Sequence, residues 1–475
     1  MEEILDFAVI VAIASAGLLG AVVVSKLGPI VPIPGPAIFL VVAAAASASY
    51  AGFHALSIED ASRIGVVALI VILFEGGMHV GWRRFRRSAA EISILGVLGT
   101  FGTAFVVAVF AHWTLGFDWA LAAVIGAALA PTDPAVMFSV LGKREIGGRS
   151  GTILEGESGF NDPVGISLMI GALEFATNDD ASFWPVAGEF ASEMLLGTAF
   201  GVAGGILLRK TMRRVDLPSQ PLYPIFALAF AATLYGVTTI AHGSGFLAVF
   251  AAGVLFGDER APYKGDVERF HKSLASLAEI AVFAALGLTI SLGDVVAEGV
   301  WLDGLLLALV LALVARPLVV GLIVLPARIR WGERIFVMWG GLKGAVPILL
   351  GTLAVIEGVD EAANIYGLIF VVVTFSVLVQ GTSIPFVAPR LGVRMRPAKL
   401  EGVLRCTVAT GSRAEHRAVR DLPMSERAWI RELNRSGRPV AVNGGTVLEA
   451  GDDVQLLADV DDIGDLSKLF TSARA

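Results

Sequence analysis

The chain has 475 residues, of which 55% are hydrophobic and 17% are charged, and its formal net charge is −7. Soluble globular proteins carry about a quarter charged residues, so this balance indicates a protein embedded in lipid and excludes an ordinary water-soluble fold. The single cysteine, Cys406, excludes a disulfide framework within the chain.

Apolar segments follow one another along most of the chain, and a helix needs about 20 residues to cross a bilayer. The opening residues Met-Glu-Glu lack the basic start of a signal peptide, so we expect the first segment to remain as a helix. The sequence predicts an all-α polytopic membrane protein with about 13 transmembrane helices. The predicted spans are 5–25, 30–50, 63–82, 93–112, 118–142, 151–174, 188–208, 221–240, 243–257, 273–291, 301–325, 334–356 and 362–388.

Charge alternates between the loops that join these spans. Loops after odd-numbered spans carry 23 basic residues, whereas those after even-numbered spans carry mainly acids and one base, Arg63. Because basic loops stay in the cytoplasm, the N-terminus is predicted outside and the C-terminus in the cytoplasm, in a multi-pass protein of the cell inner membrane.

The composition changes near Leu400. Residues 402–409 and 453–458 alternate between apolar and polar side chains, as strands do, and the turn sequence Glu-Ala-Gly-Asp precedes the second run. We therefore expect a transmembrane domain over 1–398 and a small cytoplasmic α+β domain over 399–475.

Six ionisable residues stand out inside the predicted spans, where each costs several kcal/mol and is a functional candidate. They are Glu75, Asp133, Glu157, Asp162, Arg316 and Lys343. They could pair as structural salt bridges, but four acids against two bases leave two acids unpaired. A buried, unpaired carboxylate must be protonated or hold a cation, and competition between these two ligands is the chemistry of exchange.

Span 6 carries the densest set of polar groups. Ser158, Asn161 and Asp162 share one helical face, whereas Glu157 lies about 100° away and is better placed to pair with a base on another helix. Oxygen ligands without Cys or His clusters suit alkali cations rather than zinc or copper. A functional role is favoured for Asp162, and also for Glu75 and Asp133; a structural role is favoured for Glu157.

Two spans contain helix-breaking sequences. Pro131 and Pro134 interrupt span 5, and the run 340–347, Gly-Gly-Leu-Lys-Gly-Ala-Val-Pro, interrupts span 12. The two spans are seven apart and so run in opposite directions, as the crossed discontinuous helices of inverted repeats do around a midplane transport site. Lys343 could neutralise the helix-end dipoles at such a crossing. The alternative is that Gly and Pro are ordinary in membrane helices.

Three motifs together carry a family resemblance. Thr-Asp-Pro at 132–134, Glu-Ser-Gly-Phe-Asn-Asp-Pro at 157–163 and Gly-Leu-Lys-Gly-Ala-Val-Pro at 341–347 resemble those of the monovalent cation:proton antiporters of the NhaP-type branch. The resemblance covers about 390 residues and implies an inverted-repeat fold, a homodimer and elevator-like alternating access. Lys343 departs from the family, which commonly has Arg there, so the bidentate geometry of a guanidinium is lost.

The resemblance also implies roles for individual residues. Asp162 is implied as the carboxylate that carries the ion and the proton. Asn161 is implied to stabilise the crossed helices, Glu157 to pair with Arg316, and the Asn161–Asp162 pair to mark an electroneutral exchanger. The remaining cation ligands are implied to be Ser158, Glu75 and the backbone around Thr132 and Asp133.

The tail motif Gly-Thr-Val-Leu-Glu-Ala-Gly-Asp-Asp-Val at 445–454 resembles the TrkA-C half of RCK modules. This implies a regulatory domain that binds a small molecule or nucleotide, and it favours potassium; a passive dimerisation domain is the alternative.

The sequence thus predicts a potassium and/or sodium:proton antiporter with a role in pH homeostasis. The main alternative is a gated monovalent cation channel, and weaker ones are a proton-coupled anion or solute carrier and a regulatory sensor that transports nothing. We expect no enzyme activity, no cofactor and no nucleic-acid partner.

Overall fold

The structure is a computed structural model. It describes residues 15, 19–20, 34–49, 56–133, 136–137, 141, 144–146, 149–178, 180–215, 217–259, 263–327, 329–393, 395–397, 401–424, 428–440, 442 and 444–471. The first predicted span (apart from residues 15, 19 and 20), the start of the second, Pro134 and Leu400 lie outside these residues.

The membrane part is built almost entirely from helices. In chain order they are α1 (Gly35–Ser49), α2 (Ile58–Val80), α3 (Trp82–Arg87), α4 (Ala89–Leu115), α5 (Trp119–Leu129), α6 (Arg149–Thr177), α7 (Phe183–Arg214), α8 (Leu222–Ile240), α9 (Gly245–Gly257), α10 (Lys264–Leu288), α11 (Leu292–Ala297), α12 (Val300–Val324), α13 (Trp331–Trp339), α14 (Ala345–Ile356) and α15 (Ala362–Arg390). Helices α4, α12 and α15 contain π-helical turns.

Within the described part of the chain, seven helices are long and apolar enough to cross a bilayer: α2, α4, α7, α8, α10, α12 and α15. Four shorter apolar helices accompany them: α1, α5, α9 and α14. The structure therefore confirms a helical, multi-span membrane protein, and the number of 13 spans stays a prediction.

Two helices differ clearly from their predicted spans. Helix α5 ends at Leu129, well before the end of the predicted span 118–142, because Pro131 cannot continue the backbone hydrogen bonding. Helix α10 begins at Lys264 rather than at residue 273. Its added first turns are stabilised by a pair four residues apart, Lys264 Nζ and Glu268 Oε1, at 2.5 Å.

The chain's C-terminal part folds around its own four-stranded antiparallel sheet. The strands are β3 (Glu401–Thr407), β4 (Trp429–Arg435), β5 (Arg438–Val440) and β6 (Asp453–Asp459), in the order β3-β6-β4-β5. A short 3-10 turn (Val419–Asp421) and helix α16 (Val460–Phe470) complete it. Its hydrophobic cluster shares no residue with that of the membrane part, so these strands and α16 pack around a core of their own.

A second, two-stranded sheet joins distant parts of the chain and was not predicted. Strand β1 (Arg144–Ile146) pairs antiparallel with β2 (Met395–Pro397), with Glu145 opposite Arg396 and Ile146 opposite Met395.

Candidate functional site

Two non-helical segments meet inside the membrane part. Residues 130–133 follow α5, and residues 340–344 separate α13 from α14. The Asp133 N–H donates to the Leu342 carbonyl at 2.8 Å, which joins the two segments. A Cβ on Gly344 would lie 1.9 Å from Asp133 Oδ2, so only glycine admits this approach. We call the two contacting segments, 130–133 and 340–344, the crossing.

Lys343 lies at the centre of the crossing and is buried. Its Nζ donates to the carbonyl oxygens of Ala130 and Pro131, each at 2.8 Å, and its backbone N–H donates to Ser376 Oγ at 2.8 Å. The ammonium thus meets the carbonyl end of α5, where the helix dipole is negative. A single ammonium satisfies both carbonyls, so this contact does not need a guanidinium.

One face of α6 holds the first segment of the crossing. Asn161 Nδ2 donates to Thr132 Oγ1 at 2.8 Å, and the Thr132 N–H donates to Asn161 Oδ1 at 3.4 Å. The Ser158 hydroxyl donates to the Thr132 carbonyl oxygen. The structure therefore brings Ser158 and Asn161, which share one face of α6, against Thr132.

Asp162 lies one helical turn beyond Ser158 and is 5% exposed. Its Oδ1 is buried and accepts no hydrogen bond from the residues that the structure describes. The charges with which it interacts are those of Asp133 and Lys343. A buried carboxylate oxygen without a donor is costly, and a proton or a cation removes that cost.

Glu157 meets a different environment on the same helix. Arg316 Nη2 donates to both of its carboxylate oxygens, at 3.0 and 3.2 Å, and both side chains are 3% exposed. Arg316 Nε also donates to the Met338 carbonyl at 3.2 Å. Glu157 is therefore held by a permanent base and is unavailable to a mobile ion.

Glu75 on α2 belongs to a second group of charges. It interacts electrostatically with His79, Lys272 and Glu155, whereas Asp162 interacts with Asp133. His79 Nε2 lies 3.6 Å from Glu155 Oε1.

Glu279 on α10 connects the two groups, because it interacts with both Glu75 and Asp133. Its Oε1 is buried and has no hydrogen-bond partner within the described ranges. The sequence reasoning missed this residue. The signal was present: Glu279 is a lone acid in the apolar run 277–290, as Glu75 is in its own span.

The count of four acids and two bases inside the spans was therefore wrong. Further acids lie within the predicted spans, among them Glu155 in 151–174, Glu189 and Glu193 in 188–208, Glu279 in 273–291 and Asp303 in 301–325. Glu155 faces Arg84, whose Nη1 is 3.8 Å from Oε2. The excess of acids over bases is larger than the sequence analysis counted.

Comparisons with known proteins show the family to which the chain belongs. A family model described as sodium/hydrogen exchanger, transmembrane, matches residues 10–389, and the TrkA-C domain model matches residues 403–471. The chain is 32% identical to the K(+)/H(+) antiporter NhaP of Alkalimonas amylolytica over 430 residues, 86% of this chain and 74% of that protein. It is 30% identical to the K(+)/H(+) antiporter NhaP2 of Shewanella sp. (strain ANA-3), over 97% of this chain and 82% of that protein.

The fold also resembles a solved structure. That of the sodium proton antiporter MjNhaP1 from Methanocaldococcus jannaschii at pH 8 matches with a TM-score of 0.66 and 22% identity, covering 80% of this chain and all of that one. The family and the exchange activity predicted from the sequence are thus confirmed. The chain belongs to the sodium/hydrogen exchanger family of transmembrane proteins, and it is a cation:proton antiporter with a C-terminal TrkA-C domain.

Proposed function

We propose that the protein exchanges potassium or sodium ions for protons at Asp162. The observation that carries this assignment is the buried Asp162 oxygen that accepts no hydrogen bond from the described residues, next to the Lys343-capped crossing. When ionised, Asp162 holds a partly dehydrated cation, and protonation of the same group releases it. The names of the relatives from Alkalimonas and Shewanella favour potassium.

The proposed cation site contains Asp162, Ser158 and the region of Thr132 and Asp133. It also includes Glu75, which belongs to the second group of charges and is connected to Asp133 through Glu279. The Thr132 carbonyl and the Ser158 hydroxyl are neutral oxygens of the kind that alkali ions prefer. Four residues support the site without binding the ion. These are Asn161, Lys343, Glu157 and Arg316, and the hydrogen bonds around them support this division of roles.

We infer electroneutral exchange because one carboxylate takes either one proton or one monovalent cation, so no net charge moves. Competition for a single group also makes the rate depend on pH: protons exclude the cation at low pH, and proton supply fails at high pH. The exchange rate is therefore expected to fall at both extremes.

The proposed architecture is a homodimer of 13-span subunits with inverted repeats, which works by elevator-like alternating access in the cell inner membrane. The transmembrane domain covers 1–398, and the tail, 399–475, is a cytoplasmic regulatory domain for a small molecule or nucleotide. The alternation of loop charges supports an outside N-terminus, and the TrkA-C match supports the role of the tail. Because exchange moves protons across the membrane, the cellular role that we propose is control of internal pH.

The decisive experiment is Asp162→Asn in proteoliposomes, with a pH-sensitive dye and each alkali cation added in turn. We expect exchange to disappear while the protein remains folded, judged by gel filtration and circular dichroism. The matched control is Asp180→Asn, because Asp180 is exposed beyond the end of α6. Retained exchange in Asp162→Asn would contradict the assignment. Single-channel currents far above carrier turnover would favour the gated cation channel instead.

A further inference from the structure

The β1–β2 sheet connects two regions that are about 250 positions apart in the sequence. Strand β1 lies in the connection between the crossing residues of span 5 and helix α6, and β2 follows the last membrane helix, α15. The tail strand β3 begins at Glu401, four positions after the end of β2. The entrance to the tail is thus hydrogen-bonded to the connection between the two elements that carry Asp133 and Asp162.

Strand β1 is packed tightly against the start of α6. Ile146 is 7% exposed and belongs to the hydrophobic cluster of the membrane part, against which its partner Met395 also packs. A Cβ on Gly151 would lie 2.5 Å from the Ile146 carbonyl oxygen, so the first turn of α6 touches the strand backbone directly. A displacement of β1 therefore displaces α6.

Helix α6 carries such a displacement to the ion site. From Gly151 to Asp162 it is continuous, and eleven residues at a rise of about 1.5 Å each span about 16 Å. At the far end, Asn161 and Ser158 are bonded to Thr132 in the crossing. The contacts form an unbroken physical path from β2, through β1 and α6, to the crossing.

The tail packs around its own hydrophobic core, independently of the membrane part. Its hydrophobic cluster, which includes Leu456 and Phe470, is separate from the membrane cluster. A rearrangement of the tail can therefore leave the membrane packing intact and reach it through the β2 segment.

We propose that the β1–β2 strand pair is the connection through which the C-terminal domain regulates exchange at Asp162. This inference rests on the proposed function of Asp162. Its content is distinct, because it assigns the transmission of the state of the tail to the pairing of two short strands that contain no residue of the ion site.

A double-mutant cycle in the whole chain tests this connection. Leu456→Ala perturbs the tail core, because Leu456 is fully buried in the central strand β6. Arg144→Pro/Glu145→Pro breaks the strand pair, since donors alternate along an antiparallel strand and two adjacent prolines remove at least one. Arg144→Ala/Glu145→Ala is the matched control, because it shortens the same side chains and keeps both N–H groups.

We expect Leu456→Ala to change the exchange rate by about fivefold in the wild-type and alanine backgrounds, at the lower end of allosteric coupling. In the proline background the same substitution should change the rate by less than about twofold, because the broken strand pair no longer transmits the state of the tail. The difference between backgrounds then exceeds the roughly twofold deviation from additivity that independent sites show. An equal effect in all backgrounds, or none in any, would overturn the proposal. Absence of exchange in the wild-type protein would instead count against the proposed function.

A disulfide experiment keeps the proposal testable if the proline variant does not fold. In a Cys406→Ser background, which has no other cysteine, Glu145→Cys/Arg396→Cys should cross-link readily with dilute oxidant, because these residues face each other in the ladder. Glu145→Cys/Asp180→Cys is the control. Its positions flank the 29-residue helix α6, about 43 Å long, and should not cross-link. After cross-linking, Leu456→Ala should still change the exchange rate by about fivefold. Failure to cross-link, or loss of this change in rate after cross-linking, would overturn the proposal.

Discussion

Three acidic side chains of α6 lie within eight residues of one another, and each meets a different environment. Glu155 faces Arg84, Glu157 is bound by the buried Arg316, and the Asp162 Oδ1 accepts no hydrogen bond in the described ranges. The chemistry of the three carboxylates is the same. Their partners on other helices therefore decide which one is structural and which one is left for the transported ion.

Glu157→Gln is expected to destabilise the protein strongly. Arg316 cannot lose its proton, so the substitution leaves a buried charge without its partner, at a cost of about 3–5 kcal/mol. Thermal unfolding in detergent measures the loss. The control is Asp60→Asn, which removes an exposed pair with Arg63 and should cost less than about 1 kcal/mol. Equal stability of the two variants would contradict a stabilising role for the buried pair.

Glu279→Gln is expected to weaken cation binding. The carboxylate interacts with both Glu75 and Asp133, so removing its charge makes the potential at the site less negative. A loss of about 1.4 kcal/mol of attraction corresponds to a tenfold rise in KM. Exchange rates at varied cation concentration give KM, and Asp294→Asn, on the exposed surface of α11, is the control. An unchanged KM would contradict a contribution of the Glu279 charge to cation binding.

At the scale of elements, the crossing depends on close backbone approach. Proline ends α5, and glycine at 341 and 344 lets the second segment pass next to large polar side chains. A Cβ on Gly341 would lie 1.7 Å from Arg316 Cζ, and one on Gly344 would overlap Asp133. These glycines are thus required for packing, beyond any effect on helix continuity.

Gly344→Ala is expected to open the crossing. The added methyl group meets the Asp133 carboxylate, and such overpacking costs about 1–3 kcal/mol. We expect the exchange rate to fall at least about tenfold and thermal stability to decrease. Gly236→Ala on α8 is the control, because no atom lies within 4 Å of the new Cβ. If the two variants transport equally well, the close approach does not matter for exchange.

At the scale of the whole molecule, membrane part and tail are two packing units. Cys406 lies on β3 of the tail, half-buried, and burial raises the pKa of its thiol to about 11. Arg435 binds Asp452 at 2.8 Å and stabilises the same sheet. Hydrogen bonds from Arg435 and the Glu449 N–H outweigh the opposing effect of burial and hold the pKa of Asp452 below its usual range.

Cys406 therefore reports on the folding of the tail. Only the thiolate reacts with maleimide, and at pH 8 a thiol of pKa about 11 has roughly a hundredth of the thiolate of a free cysteine. We expect labelling about 100-fold slower than in the urea-unfolded chain, rising about tenfold per pH unit towards pH 11. Because the chain has one cysteine, the signal comes from the tail alone. Fast labelling of the folded protein at pH 8 would contradict the structure of β3.

Much of this protein could be predicted from properties of short stretches. Hydropathy predicts the membrane helices, Pro131 and the glycine run predict the interruptions, and alternation after Leu400 predicts the tail sheet. The face shared by Ser158 and Asp162 follows from helical geometry. Each of these depends on residues only a few positions apart, so the order of the amino acids is sufficient to determine it.

Only the tertiary structure decided which groups meet. Glu157 and Arg316 are 159 positions apart, and Lys343 reaches a carbonyl 213 positions away. The electrostatic interaction of Glu279 with Asp133 and the pairing of β1 with β2 also join residues that are far apart in the sequence. Local pattern cannot specify such contacts, because they arise from how the helices pack. By itself the sequence determined that buried acids are present, and packing decided which of them, such as Glu157, meet a permanent base and which, such as Asp162 and Glu279, keep an oxygen without a hydrogen bond from the described residues.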